Sequence, residues 1–511
     1  MATVPKPARG GTAVEALVGQ PGVLNPLFEV DDTARDIDNL IYQGLTTVDA
    51  GQNMVGLLAT GWEISSDHLT YTVDVRTGVR WADGQPFTAD DVLFTYHVLQ
   101  DLEYTQPGAV DWRQVGIAAG GPNQVVFTLR APSAGFPLAL RTGIIAKHLF
   151  GGMAPAQIQQ SDFSGIRAMG TGPFMVAGIN SLAITLDRNP YAAPQPYLDH
   201  LIVRTYSTRQ LAIRAVLQGA ADLFGGLESQ EVVALQGRSD VNIQEARTFT
   251  TAFLSFNPAD IGKTFFSDVK VRVALTQAVD RERLLSEVLA GRGDPDPTPI
   301  PTGDWAYSAS AANAHPYDPL AASRALDAAG WVLTPGSKLR SKNGQAFKFE
   351  LDVAGPSPDS QMADGVSRQL LQVGIEADVK AVSLADLVQK YLLGHNYQAA
   401  LVAVDVGPDP DQYTLWHSGL DPSNLNFAYS RGWGLIDKDL EDGREAADQP
   451  SRLAAYFDFQ SQMAEQAPAI FLYSPHYDYA VSLRVHRVRM NTVIDPVDRF
   501  QYVTQWYVNT S

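Results

Sequence analysis

The residues best suited to bind a ligand lie in one acidic turn that runs from Asp405 to Asp411. The segment before it, AALVAV, is apolar at both odd and even positions, which predicts a buried strand covered on both faces. The glycine and prolines of the turn cannot continue that strand, and Tyr413 and Trp416 follow closely. Ligands of open α/β sheets bind beyond the carboxyl ends of strands. The turn therefore predicts an acidic, aromatic-edged pocket, although an exposed surface turn would have the same composition.

Short catalytic and metal-binding motifs are absent from the sequence, which contains no GxSxG, HExxH or GxGxxG. The chain has no cysteine, so disulfides, thiolate metal sites and cysteine nucleophiles are excluded. Its 9 histidines include no pair at a spacing of three or four residues. We therefore expect a protein that is not an enzyme and that holds no cofactor and no metal.

Composition and charge limit the partners of the chain. The 511 residues are 45% apolar and 18% charged, which is typical of a globular protein of several domains. The net charge of −18 argues against binding to nucleic acid or to an anionic membrane surface. No apolar run approaches the ~18 residues of a membrane-spanning helix, and the N-terminus lacks the apolar core of a signal peptide.

The pattern of predicted elements changes along the chain. Residues 46–167 contain short strands and turn signals around one helix that Thr88 can cap, which predicts a small α+β module. Residues 168–253 alternate strands and helices, which predicts a partly parallel sheet. Residues 254–478 form the largest block, in which the segment DVKVRVALTQAVDRERLLSEVLAG predicts one long helix capped by Ser267 or Asp268.

Several segments, spread in order along nearly the whole chain, together resemble the family 5 extracellular solute-binding proteins of ABC importers. This group binds dipeptides, oligopeptides and nickel. The matching segments are LNPLF, DNLIYQGL, LATGWEISSDHLTYTVDVRTGVRWADGQPFTADDVLFTY, GTGPF, RNPYAAPQPYLDHLIV, FLSFNP, VKVRVALTQAVDRERLL, YDPLAASRALDAAGW and PAIFLYSP.

The resemblance implies an α/β fold of the periplasmic-binding-protein type (type II, cluster C), with two hinged lobes of mixed sheets and an extra small α+β domain. Lobe I would be discontinuous and comprise residues 1–46, 168–253 and 479–511. The accessory domain would be residues 46–167, and lobe II would be residues 254–478. Hinge closure over a ligand in the cleft between the lobes is the implied working motion.

The resemblance also implies partners and a location. The chain would capture peptides outside the cytoplasm and deliver them to the permease subunits of an ABC importer. It would act as a monomer, and its full-length form would be held at the membrane by a lipid anchor that this chain does not include. The implied binding is non-catalytic and involves no nucleic acid.

In the peptide-binding members of the family, an Asp after a central strand of the second lobe pairs with the α-ammonium group of the ligand. Asp405 is the best match to that residue because it follows ALVAV. The turn is one residue longer here, so Asp409 is a rival. Some oligopeptide binders carry an Arg where this chain has Ala399, so a peptide carboxylate would be held elsewhere or not at all.

Further candidate ligand contacts come from loops. The loop after the first strand, which touches the peptide backbone in the family, contains Val30, Asp31 and Asp32. A helix capped by Asp32 or Thr33 would explain the same residues without a ligand. The remaining candidates are Trp112, Trp305, Tyr307, Trp416, Trp433 and Asn257.

Two alternatives to peptide transport remain open at this point. The same fold could bind a nickel chelate, an opine or an oligosaccharide. A hydrolase that uses buried carboxylates is the third hypothesis, and the lack of catalytic motifs weighs against it.

Overall fold

A computed structural model of the protein describes residues 7–106, 112–257, 265–420, 425–428, 433–446 and 448–509. The chain forms two compact units. Unit 1 comprises Met1–Ala246 and Tyr477–Ser511, and unit 2 comprises Arg247–His476. The finer division into lobe I, a small domain and lobe II stays a prediction.

The strands in chain order are β1 Thr12–Val18, β2 Thr46–Val48, β3 Met54–Gly56, β4 Ala59–Ile64, β5 Thr70–Val75, β6 Gly116–Gly121, β7 Gln124–Thr128, β8 Phe174–Ile179, β9 Ala183–Arg188, β10 His200–Tyr206, β11 Leu223–Gly225, β12 Val241–Arg247, β13 Thr250–Phe256, β14 Gly293–Pro295, β15 Val332–Leu333, β16 Arg340–Lys342, β17 Gln345–Ala346, β18 Lys348–Ala354, β19 Glu376–Val382, β20 Ala399–Asp405, β21 Ala469–Ser482, β22 Val485–His486 and β23 Tyr507–Val508.

The α-helices are α1 Asp32–Ile41, α2 Ala89–Gln100, α3 Phe136–Ala139, α4 Lys147–Phe150, α5 Pro155–Gln159, α6 Arg209–Leu217, α7 Ser229–Leu235, α8 Val269–Gln277, α9 Arg281–Leu289, α10 Ala309–Ala312, α11 Pro319–Ala328, α12 Pro358–Gln372, α13 Leu384–Asp386, α14 Tyr413–Trp416, α15 Gly434–Glu445 and α16 Gln449–Gln466. A π-helical turn, Leu387–Leu392, continues α13. No helix in the described part of the chain is both long enough and apolar enough to cross a membrane.

Unit 1 contains a mixed sheet in the order β21-β11-β1-β10-β9-β8. Strand β1 runs parallel to β10 and β11, while β10, β9 and β8 form antiparallel pairs. The predicted mixture of parallel and antiparallel strands is therefore confirmed. A second sheet, β4-β5-β7-β6, is antiparallel, and α2 packs against it. Thr88 caps α2 together with Asp91, as the sequence predicted.

Unit 2 is built on strands in the order β19-β18-β20-β13-β21. Strand β18 is parallel to β19 and β20, and β20 is antiparallel to β13. Along β20, Ala399 and Leu401 join one apolar core, and Ala400 and Val402 join another on the opposite face. The strand is therefore interior and covered on both sides, as its uninterrupted apolar sequence predicted.

The predicted long helix after Asp268 is wrong, because the structure has two helices, α8 and α9, with a break at Asp280. Asp268 caps the first helix, and the Asp280 carboxylate caps the second by accepting a 3.0 Å hydrogen bond from the backbone N–H of Arg283. The Gln369 side chain also accepts from the Asp280 N–H at 2.7 Å. Asp is favoured at such caps, and the apolar spacing of the segment does not reveal the break.

Two glycines of the GTGPF segment allow a close backbone approach in unit 1. A Cβ atom on Gly170 would lie 1.9 Å from the carbonyl oxygen of Ile41, and one on Gly172 would lie 2.6 Å from it. The N–H of Gly172 donates to the same oxygen at 2.8 Å. These glycines therefore hold the segment against the end of α1.

Replacing Gly170 with Ala should destabilise unit 1, because the new methyl group would overlap backbone that cannot move cheaply. We expect a loss of about 2 kcal/mol or more in the free energy of unfolding, measured by urea denaturation. Gly178→Ala in β8 is the matched control, since its Cβ would meet nothing within 4 Å. Equal losses in the two variants would contradict the close-approach explanation.

Candidate ligand site at the acidic turn

Asp405 is the last residue of β20, opposite Thr250 of β13, and it is exposed. Its Oδ1 accepts a 2.9 Å hydrogen bond from the backbone N–H of Gly407. Gly407 has a φ of 68°, a left-handed conformation that glycine adopts without steric cost. The chain therefore turns immediately after the strand, and the carboxylate lies at its carboxyl end.

Asp409, the rival candidate, forms an ion pair with a cation of the same unit. Its Oδ1 lies 2.5 Å from Nη2 of Arg452 in α16, and the two side chains are only 20% and 12% exposed. Burial acts to lower the pKa of the Arg452 guanidinium, but the Asp409 charge and hydrogen bond outweigh it and raise that pKa above its usual value. The charge of Asp409 is thus balanced internally.

Asp411 is neutralised in the same way by Arg444 of α15. The Arg444 Nε donates to Oδ2 of Asp411 at 2.7 Å, and the guanidinium lies 4.1 Å from the centre of the Tyr413 ring. Burial raises the pKa of the Asp411 carboxyl, and Arg444 opposes that rise. Asp405 is therefore the exposed carboxylate of a turn whose other two aspartates are held by arginines.

Trp305 and Tyr307 lie in the proline-rich loop of unit 2, and both are half-buried. The Arg452 guanidinium lies 5.5 Å from the centre of the Trp305 ring, a cation–π distance. Gln412 ties this loop to the acidic turn by donating a 2.5 Å hydrogen bond to the carbonyl of Pro299. The same arginine thus contacts Asp409 and Trp305, so two of the predicted site residues come together.

Asp304, in the same loop, was not predicted as part of the site. Its Oδ1 accepts a 2.7 Å hydrogen bond from the N–H of Ala306, and the residue is 7% exposed. Burial raises the pKa of its carboxyl to about 7; the Asp409 charge adds to the rise and Arg452 opposes it. The proline-rich loop therefore contains a buried acid, Asp304, whose pKa is close to neutral pH.

Trp416 and Asn257, both predicted as ligand contacts, are buried in unit 2. Trp416 is fully buried, and its Nε1 donates to Oε1 of Gln412 at 3.2 Å. The Asn257 side chain donates to the carbonyls of His395 and Tyr397, at 3.0 and 2.6 Å. Both polar groups are satisfied by the protein, and a ligand contact at either residue stays a prediction.

Trp433 lies at the start of α15, where its carbonyl accepts a 2.9 Å hydrogen bond from the N–H of Asp437. The ring is half-buried against the apolar core beside β20. Trp112 also has a packing role, in unit 1, with its ring 4.5 Å from Tyr96 and 6.4 Å from Phe127. Trp112 therefore belongs to an aromatic cluster beside the β4-β5-β7-β6 sheet.

The loop that contains Val30, Asp31 and Asp32 also lies in unit 1. The helix cap is Asp31, and not Asp32 or Thr33, because Asp31 Oδ1 accepts from the N–H of Ala34 at 2.8 Å. Its Oδ2 accepts from the N–H of Gly22 at 3.0 Å. Val30 is 71% exposed, and Asp32 forms an exposed ion pair with Arg35 at 2.9 Å. Val30 and Asp32 remain open to solvent.

Glu29 and Asp38 form an acidic pair next to this loop that the sequence did not reveal. Burial raises the pKa of Asp38 well above its usual value and that of Glu29 to about 7, and each carboxyl acts on the other. Both Asp38 oxygens are buried without a hydrogen-bond partner, whereas Arg35 Nε lies 3.4 Å from Glu29 Oε1 and opposes the rise in the pKa of Glu29. Among the described residues, no group of three or more His, Asp or Glu side chains is arranged to hold a metal ion.

Comparison with known proteins identifies the class to which this architecture belongs. Residues 53–424 match the family described as bacterial extracellular solute-binding proteins, family 5 middle. This chain therefore belongs to the family 5 bacterial extracellular solute-binding proteins.

Among its relatives is the oligopeptide-binding protein AppA of Bacillus subtilis, which is 28% identical over 93% of this chain and 88% of the relative. The solved structure of that protein in complex with a nonapeptide has a TM-score of 0.76 and 26% identity, and the match covers 99% of this chain and 100% of the other. The nickel-binding periplasmic protein of Escherichia coli is 24% identical over 84% of this chain and 82% of the relative.

The fold is also that of CtaP, a substrate-binding protein of an ABC transporter from Listeria monocytogenes. Its crystal structure has a TM-score of 0.83 at 23% identity and covers 98% of this chain and 99% of the other. The expected periplasmic-binding-protein fold is thereby confirmed.

Replacing Asp409 with Asn should destabilise unit 2, because it leaves the mostly buried Arg452 without its anion. We expect a loss of roughly 2–3 kcal/mol in the free energy of unfolding, measured by urea denaturation. The control is Asp364→Asn in α12, which removes a charge from an exposed position of the same unit and should change that free energy by less than about 0.5 kcal/mol. A loss of similar size in the control would mean that the ion pair does not stabilise unit 2.

Replacing Asp304 with Asn should change how stability depends on pH. Because burial raises the folded-state pKa to about 7, the wild-type carboxyl is fully stabilising below its unfolded pKa near 4 and loses that contribution as pH rises to about 7. The Asn side chain can still accept from Ala306 and does not titrate. The stability of the variant relative to wild type should therefore increase between pH 4 and 7, as followed by thermal unfolding. A constant difference across that range would contradict the raised pKa.

Proposed function

We propose that this protein is the extracytoplasmic peptide-binding component of an ABC importer and that it has no catalytic step. Its family membership and its similarity to AppA along nearly the whole chain support this function. The solved AppA structure holds a nonapeptide, and other relatives are described as putative ABC transporter peptide-binding proteins. Permease subunits are the implied partners. Monomeric action, lipid anchoring and hinged closure of the lobes stay predictions.

The observation that supports a site in unit 2 is the position of Asp405. This carboxylate is exposed at the carboxyl end of β20, in the acidic turn that Arg452 and Arg444 hold through Asp409 and Asp411. We propose that Asp405 binds the α-ammonium group of a peptide. A charge-assisted hydrogen bond between an ammonium and a carboxylate is strong once the ligand excludes water from it.

Aromatic and loop residues complete the proposed set of ligand contacts. Three aromatic residues of unit 2 are half-buried, namely Trp305, Tyr307 and Trp433. Part of each side chain packs against the protein, and part is accessible to a ligand. In unit 1, Val30 and Asp32 are the accessible residues of the loop before α1. A half-buried aromatic ring offers a rigid apolar surface to side chains of varied sequence, which suits a binder of different peptides.

The preference for a peptide over a nickel chelate, an opine or an oligosaccharide follows from the relatives. The similarity to the oligopeptide-binding AppA is greater in identity and in coverage than the similarity to the nickel-binding protein. An exposed Asp at the carboxyl end of β20 also fits the amino-terminal end of a peptide.

Calorimetric titration with di- to nonapeptides, each with a free and an acetylated amino terminus, tests the proposal. The wild-type protein, freed of co-purified ligand, should bind the free-amino form at least about tenfold more tightly, because acetylation removes the charge that Asp405 would hold. Asp405→Asn should lose this preference.

Asp364→Asn is the matched control, since it neutralises another exposed carboxylate of unit 2, in α12. Its preference should equal that of wild type. Peptides that bind wild type without regard to acetylation would exclude Asp405 as the ammonium ligand. Peptides that fail to bind at all would overturn the peptide function.

A further inference from the structure

Arg281, the first residue of α9, is buried without a counterion. The residue is 9% exposed, and its Nε donates a 2.7 Å hydrogen bond to the carbonyl of Phe471. Its Nη2 is buried and has no hydrogen-bond partner. Among the residues that the structure describes, no carboxylate forms an ion pair with Arg281; the adjacent Asp280 instead caps α9 through the N–H of Arg283.

The other buried arginines of unit 2 are satisfied differently. Arg272 donates to the carbonyls of Phe266 and Gln466, among others, at distances from 2.6 Å. Arg340 donates to the Asp327 carboxylate at 2.6 Å and to the carbonyl of Val373, also at 2.6 Å. Arg281 is therefore distinguished by a buried donor that no group of the described chain accepts.

The charge of Arg281 persists at neutral pH. Burial lowers the pKa of its guanidinium to about 10, which still leaves the group protonated. A buried charge without compensation costs several kcal/mol. The location adds to that cost, because a cation at the first turn of a helix opposes the helix dipole, whereas an anion there is favoured.

Arg281 lines a partly open cavity of about 20 Å³ within unit 2. That space accepts a species of about the size of one water molecule. The other side chains around it are largely apolar. Among the polar ones, His315 Nε2 donates to the carbonyl of Ala464 and the Gln460 amide donates to the carbonyl of Ala306. The hydroxyl of Thr276 donates to the carbonyl of Arg272 at 3.1 Å, and that of Thr298 donates to the carbonyl of Ile300 at 2.8 Å.

We propose that this cavity is a binding site for a small monovalent anion, chloride in size and charge, which Arg281 holds at the start of α9. A water molecule could accept from Nη2, but it would leave the buried charge uncompensated. A chloride ion would accept the hydrogen bond from Nη2 and would also compensate the charge of the guanidinium. A cavity of this volume holds a single small ion and not a peptide carboxylate with its chain, so this proposal does not depend on the proposed peptide site.

Thermal unfolding in increasing sodium chloride, at constant ionic strength kept with sodium gluconate, tests the proposal. The wild-type melting temperature should rise by a few degrees as chloride replaces gluconate, because an ion that binds the folded state stabilises it. Arg281→Met, which fills a similar volume without charge, should lose the chloride dependence.

Arg283→Met is the matched control, since it removes a 59% exposed arginine from the same helix. It should retain the wild-type response to chloride. An equal response in Arg281→Met and wild type would overturn the site, because the ion would then bind elsewhere.

Crystals of the wild-type protein soaked in sodium bromide give a test that does not depend on the folding of a variant. An anomalous bromide peak within hydrogen-bond distance of Nη2 of Arg281 is expected. Density at that position without an anomalous signal would identify water and would overturn the proposal.

Discussion

The ion pair between Arg452 and Asp409 determines the shape of the acidic turn in unit 2. Asp409 belongs to the turn after β20, Arg452 belongs to α16, and the same guanidinium lies over the Trp305 ring. One cation thus joins a strand end, a helix and the aromatic loop. Because two charges this deeply buried are costly apart, the turn cannot move away from α16 without a large loss of free energy. Asp405, at the strand end, is positioned by this framework and remains exposed.

Unit 1 follows the same principle of compensated charge in its interior. Arg499 is 1% exposed and lies between Glu15 of β1, at 3.1 Å, and Asp36 of α1, at 2.6 Å. Burial raises the pKa of Glu15 to about 7, and Tyr479 of β21 donates to that carboxyl at 2.6 Å. These polar contacts join the first strand, the first helix and the C-terminal region. Each contact needs both of its partners, because a buried charge left unpaired is costly. Arg281 in unit 2, by contrast, has a buried guanidinium nitrogen without a hydrogen-bond partner and no carboxylate in an ion pair among the described residues.

Local patterns predicted much of the fold. The apolar run of β20 and the capping box at Thr88 depend on neighbours in the sequence, and the structure confirms both. The break between α8 and α9 was missed, because hydrophobic spacing continues through it, and the cap at Asp280 is supported by a tertiary contact with Gln369 that the sequence does not show.

The site was harder to predict, because its partners are remote in the sequence. Asp409 and Arg452 are 43 residues apart, and no spacing rule connects them. Asp405 was the better match to the family's aspartate and Asp409 its rival, and nothing in the local sequence indicated that Arg452 would pair with Asp409. Large aromatic residues posed a related problem, since nothing local to Trp416 distinguishes a core ring from one that faces a ligand.

The order in which the two units occur along the chain bears on how the protein can be made. Unit 2 is a single uninterrupted segment, whereas unit 1 needs the end of β21, which pairs with β11. During synthesis from the N-terminus, unit 2 can complete its own core while the first 246 residues still lack their last strand. Unit 1 can therefore complete its sheet only after the whole of unit 2 has been added to the chain.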